Sequence, residues 1–216
     1  MTTLLTIVCC VAAAGLGNGA GLTNAKDSSS ASSWRLDVKF HDPRRITLQL
    51  PGQASPTTYW YVVYEVTNNA GRDVQFYPSF RLVADTLQVV ESGDGISPTV
   101  YDMVIARHRL EHPFLAPPAR VSGPLLQGEA NARASLAIFR DFDRKADRFT
   151  IYAGGFSGQI DRVTNPAFQA DREESQDNPR FFILRKTLAV HYDLPGDAET
   201  RDRATPVRRT REWVMR

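Results

Sequence analysis

The segment His108-Arg109-Leu110-Glu111-His112 carries the side chains of this chain that are best suited to chemistry. It has the H-x-x-E-H spacing, and two histidines four residues apart share one face of a helix, where both can bind the same zinc ion. Glu111 would then serve as the general base of a zinc-dependent hydrolase. A catalytic zinc ion needs a third protein ligand, and no downstream glutamate on a predicted helix supplies one. The segment predicts candidate ligands but not a complete catalytic site.

A structural role is the alternative interpretation of the same segment. Pro113 follows His112 directly and ends the predicted helix there. Two partly exposed histidines in a last helical turn interact favourably with the helix dipole. His108, Glu111 and His112 are therefore metal ligands only under the alternative function, that of a zinc hydrolase. No catalytic residue and no cofactor is predicted otherwise.

A second candidate site is aromatic. Tyr59 and Tyr61 alternate with Trp60 and Val62 on the strongest predicted strand of the chain. Tyrosine combines apolar area with a polar tip, so an exposed pair would form a recognition patch. If both faces of this central strand are covered instead, the two tyrosines belong to the core. The sequence leaves both interpretations open.

The elements that must position these side chains are mainly strands. Apolar and polar residues alternate along most of the chain from Trp34 onward, which is the period of a half-buried strand. One substantial helix is predicted over about 98–111, where Pro98 follows Ser97 as the N-cap. The polar stretch 161–180 predicts a long loop. Parallel sheets need a crossover helix between most strands, so the fold class is all-β: a single antiparallel β-sandwich domain over 34–216.

The first 25 residues predict a cleaved signal peptide. Leu4 to Leu16 is an uncharged apolar run, too short to span a bilayer as a helix, and small residues follow it. No Lys or Arg precedes the run, and an N-terminus retained as an anchor is the alternative. The serine-rich residues 26–33 predict a flexible linker. The mature protein is thus expected to be extracytoplasmic, periplasmic or secreted, without a transmembrane span.

Charge argues against one class of partner. The chain has 26 basic and 24 acidic residues, with a net charge of +2 and a pI of about 8.6. Because acidic residues are interleaved with the arginines near the C-terminus, no strong field is available to attract a polyanion. Nucleic acid is therefore not an expected partner.

The run from Tyr61 to Gly71, YVVYEVTNNAG, and the later run from Leu126 to Tyr152 carry a resemblance to a known group. They resemble the telokin-like, immunoglobulin-like domains of bacterial exported proteins, over about residues 34–160. The resemblance implies an immunoglobulin-like sandwich and a binding or structural module, with no catalytic residues to transfer. The expected function is a non-catalytic module of the cell envelope whose partner is an envelope protein or a glycan.

Overall fold

The computed structural model describes residues 33–216, so the predicted signal peptide and nearly all of the predicted linker lie outside the described residues. Strands account for 45% of the structure and helices for 10%, which confirms the all-β prediction. The strands are β1 Asp37–Phe40, β2 Arg44–Leu48, β3 Thr57–Thr67, β4 Val74–Phe76, β5 Ser79–Ala84, β6 Val89–Glu91, β7 Leu115–Ala116, β8 Gly123–Leu125, β9 Arg133–Arg140, β10 Arg148–Gly154, β11 Ile160–Thr164, β12 Phe181–Asp193 and β13 Val207–Met215. The helices are α1 Pro98–Arg107 and α2 Pro118–Val121, with short 3-10 turns at Glu129–Asn131 and Arg201–Arg203.

Within residues 33–216 the strands form two large sheets and one separate pair. The five-stranded sheet has the order β1-β3-β9-β7, with β2 also beside β3. The six-stranded sheet has the order β11-β12-β10-β5-β6, with β13 also beside β12, and β4 pairs with β8. Neighbours are antiparallel except for β7 and β9, which run parallel. The purely antiparallel prediction is wrong for that pair, because the chain between β7 and β9 is long enough to cross over.

The inner faces of the two large sheets enclose the main core. Alternate residues of β3 point into it, as the period of a strand requires. The core residues of these strands include Trp60, Val62, Tyr64 and Val66 of β3, Phe139 of β9, Leu82 of β5, Phe149 and Ile151 of β10, and Val190 and Tyr192 of β12.

Helix α1 covers the outer face of the five-stranded sheet. Its buried residues Val100 and Val104 pack in a second cluster with Tyr61, Val63 and Ile138 from β3 and β9. Both faces of β3 are therefore covered, and this explains why β3 is an almost continuous apolar run. The turn that follows α1 lies beside the start of β2, where Glu111 approaches Arg44.

Two boundaries differ from the sequence prediction. Helix α1 ends at Arg107, four residues before the predicted end at 111, because His108 leaves the helical conformation with φ −100° and ψ 6°. The predicted loop 161–180 begins with a strand, since residues 160–164 pair with residues 181–185 at the start of β12. Residues 165–180 then form the loop that connects the two strands.

Candidate functional site

The turn that follows α1 brings the three candidate metal ligands together. The backbone N–H groups of Glu111 and His112 both donate to the carbonyl oxygen of His108, at 3.0 and 2.8 Å. One ligand atom each of His108, Glu111 and His112 then lies within 4.8 Å of the others. The three side chains are thus brought together by the turn after α1, and not by the helix itself as the sequence predicted.

The imidazole of His108 is buried between two polar groups. The residue is 2% exposed; its Nε2 lies 3.0 Å from the hydroxyl of Tyr61, and its Nδ1 lies 3.3 Å from Oε2 of Glu111. Burial lowers the pKa of His108, with the hydrogen bond to Glu111 opposing the shift. In the neutral ring, the Tyr61 hydroxyl donates to Nε2 and the Nδ1–H group donates to Glu111.

A third imidazole adjoins this group, and no pattern in the sequence pointed to it. His41 lies in the connection between β1 and β2, with its ring edge-on to His112 at 5.0 Å between centroids. The ring centroids of His108 and His112 are 6.0 Å apart. Partial burial is the main cause that lowers the pKa of His41, followed by the charges of His112 and Arg44. Three of the chain's four histidines therefore lie in one cluster, which we call the histidine cluster (His41, His108 and His112).

Glu111 also contacts a cation from the neighbouring strand. Its Oε2 lies 3.8 Å from Nη1 of Arg44 on β2, and both side chains are more than half exposed. An exposed pair at this distance contributes little to stability. The carboxylate of Glu111 is thus held loosely and can engage another cation.

A cleft of about 660 Å³ opens beside Glu111 and His112. Strands β1 and β3 provide its charged floor, where Lys39 pairs with Glu65 at 2.6 Å. Phe114, which is 87% exposed, stands at the rim. The other charged residues that line it are Asp37 and Glu129, so acidic groups outnumber basic ones and the cleft favours cations.

The aromatic site predicted at Tyr59 and Tyr61 is wrong as an exposed patch. Tyr59 is 5% exposed and Tyr61 is 1% exposed, because α1 covers the outer face of β3 and side chains of the neighbouring strand β2 pack in the same cluster. Tyr59 belongs to the second core cluster. Tyr61 contributes to the site in another way, by holding His108 through its hydroxyl.

A second cleft, of about 330 Å³, lies on the outer face of the six-stranded sheet. Two of the three arginines that line it are already engaged: the guanidinium of Arg216 lies 3.7 Å from the ring centroid of Tyr152, and Arg81 pairs with Glu91 at 2.5 Å. This cleft therefore offers less to a ligand than the one beside the histidine cluster.

No family model, curated protein or solved structure matches this chain. Among the described residues, neither helix has the length and apolar character needed to cross a membrane.

Proposed function

We propose that this protein is an exported, immunoglobulin-like β-sandwich that serves as a non-catalytic binding module of the cell envelope. The observation that carries the proposal is a two-stranded arm with uncovered apolar side chains. The arm consists of residues 160–164 and 181–185, the paired segments of β11 and β12. We propose that its partner is an envelope protein.

The arm exposes apolar side chains on both faces. Val163 lies opposite Phe182 across the ladder, and Ile183 lies opposite Arg162 on the other face. Val163, Phe182 and Ile183 are 44–47% exposed, as is Ile160. All five residues of β11 are exposed. Apolar side chains grouped in this way on a protein surface are typical of an interaction site.

Strand β11 also stands at the end of its sheet order. An edge strand presents unpaired backbone N–H and C=O groups, which a segment of another protein can pair with as an added strand. Because the exposed apolar side chains flank this edge, they can provide pockets for alternate side chains of that segment. A protein therefore fits the arm better than a glycan, which offers no strand.

The export part of the proposal rests on the apolar N-terminal run followed by small residues. Two sheets that enclose one core support a sandwich with immunoglobulin-like organisation. The two features together favour a module that presents surfaces outside the cytoplasm.

Site-specific photo-crosslinking in the cells that make the protein tests this function. A photoreactive residue at Val163 should capture one discrete envelope protein, and adding Phe182→Ser should abolish the capture. The matched control is Val89 on β6, which is 53% exposed but lies on the opposite edge of the sheet. Equal capture from both positions, or none from Val163, would contradict the proposal.

A zinc-dependent hydrolase is the second candidate, because His108, Glu111 and His112 lie together beside a cleft. It predicts that zinc-loaded protein hydrolyses peptide or ester substrates and that Glu111→Gln eliminates this activity. Glu111 must then act as the base, although its position next to Nδ1 of His108 suits a metal ligand equally well. Hydrolysis that persists in Glu111→Gln would exclude this role.

A further inference from the structure

We propose that His108, Glu111 and His112 bind one divalent transition-metal ion of the Zn²⁺ class, with a fourth coordination position open to the adjoining cleft. This site lies apart from the arm, so the proposal does not depend on the proposed function. It rests on the geometry of three side chains and on the groups around them.

The distance between one pair of candidate ligand atoms fits a metal ion directly, and the third ligand atom lies close enough to join by a small movement of its side chain. Zinc lies about 2.0–2.2 Å from imidazole nitrogen and carboxylate oxygen, so two ligands of a tetrahedral ion are about 3.3–3.5 Å apart. Nδ1 of His108 and Oε2 of Glu111 are 3.3 Å apart, and all three ligand atoms lie within 4.8 Å. The same 3.3 Å is long for a hydrogen bond to a carboxylate, which is commonly about 2.7–2.9 Å. The pair is therefore spaced to receive an ion between its two atoms.

Tyr61 allows His108 to change its protonated nitrogen when the ion binds. In the metal-free ring, Nδ1 carries the proton and the Tyr61 hydroxyl donates to Nε2. With the ion on Nδ1, the proton moves to Nε2, which then donates to the same hydroxyl oxygen 3.0 Å away. A metal-bound histidine almost always donates its other ring N–H to a nearby oxygen. Tyr61 is thus a positioning residue and not a ligand.

The chemical class of the ion follows from the donor set. Two imidazoles and one carboxylate suit zinc and its neighbours, whereas calcium and magnesium require mainly oxygen ligands. The weak pair of Glu111 with Arg44, at 3.8 Å, is the contact that the ion would replace. Acidic side chains in the cleft, Asp37, Glu65 and Glu129, favour the arrival of a cation.

His41 adjoins His112 but lies outside the compact group of three ligand atoms. With three protein ligands, a tetrahedral ion keeps one position for water or for a donor group of a ligand in the cleft. Because Glu111 is itself a ligand in this arrangement, it is not free to act as a general base. The site is therefore one for metal-dependent binding and not for hydrolysis of the H-x-x-E-H type.

Isothermal titration calorimetry of the tag-free mature protein with Zn²⁺ alone tests the proposal. We expect saturable binding of one ion per chain. Loss of a residue that only hydrogen-bonds to a metal ligand costs about 10–100-fold in affinity. His112 and Glu111 are ligands themselves, so His112→Ala and Glu111→Gln should each lower the affinity for zinc by at least about 10-fold. Both are suitable variants because Glu111 is exposed and His112 is only partly buried. Thermal unfolding of each variant, with and without zinc, shows that the fold is retained.

His191→Ala is the matched control, since His191 is the one histidine outside the histidine cluster and pairs with Glu212 at 3.1 Å on the six-stranded sheet. It should bind zinc as the parent does. His41→Ala should retain binding of one ion, and an effect as large as that of His112→Ala would overturn the three-ligand assignment. Absence of saturable binding, or equal affinity in His112→Ala and the parent, would overturn the site altogether.

Discussion

Replacement of Tyr61 by Phe tests the physical basis of the candidate site. The substitution keeps the ring, which packs edge-on to His108 with 5.5 Å between centroids, and removes only the hydroxyl. Nε2 of His108 then loses its hydrogen-bond partner while it remains buried. An unpaired buried polar group costs about 1–3 kcal/mol, so the free energy of unfolding of metal-free protein should fall by that amount.

Urea denaturation in the presence of a chelator measures this change. With an m-value of about 2 kcal/mol per M, a loss of about 1–3 kcal/mol lowers the midpoint by about 0.5–1.5 M. The double variant Tyr61→Phe, His108→Leu removes both polar partners, and it should be more stable than the sum of the two single changes predicts. An unchanged m-value is required, because a change would indicate a different unfolded or native state.

Tyr64→Phe is the control on the same strand. The Tyr64 hydroxyl is buried without a hydrogen-bond partner among the described residues, and the nearby Ser135 donates to the carbonyl of Ala116 instead. Burial raises the pKa of Tyr64, so the hydroxyl stays protonated. Removing it should leave stability unchanged or increase it slightly. If Tyr61→Phe and Tyr64→Phe give the same midpoint, the account of the Tyr61–His108 contact is refuted.

Two further predictions concern the covering helix and the response to acid. Val104→Ala should reduce the free energy of unfolding by about 1–2 kcal/mol, because it removes two fully buried methyl-sized groups at about 0.8 kcal/mol each. Chemical denaturation measures this change. Met103→Ala, at a 38% exposed position of the same helix, should change the free energy of unfolding little. In the presence of a chelator, the free energy of unfolding should decrease as the pH falls below about 6.5, the ordinary pKa of histidine. The pKa values of His41 and His108 are lowered in the folded protein, so near this pH the unfolded chain binds more protons than the folded chain. Glu111 opposes the shift at His108, while Arg44 and His112 reinforce it. His108→Leu should make the pH profile shallower, and an unchanged profile would contradict the assignment.

The sequence predicted the strands well where one face is buried. Strand β5 is an example, because the alternation along the chain matches the burial of Phe80, Leu82 and Ala84 on one face. The sequence also placed the start of α1 at Pro98, because proline at a first helical position is a local signal. Local patterns and turn residues act over a few neighbours, so the sequence alone carries them.

The end of α1 and the strand β11 depended on distant residues. β11 lies in a mostly polar stretch of the sequence and becomes a strand because the first part of β12 provides hydrogen-bond partners along the register from Ile160 to Thr164. The helix ends early because His108 turns inward to the hydroxyl of Tyr61, which is remote in sequence. Such tertiary contacts override local preference.

The H-x-x-E-H spacing alone identified His108, Glu111 and His112 as residues that can share one ion. The sequence could not decide which face of β3 is covered, because an apolar run is compatible with exposure of one side. Only the packing of α1 on the outer face decided between the two interpretations of Tyr59 and Tyr61, because it made them core residues and made Tyr61 a support for His108. Only the fold brought His41 to His112, since the approach of two turns in space leaves no period or spacing in the chain.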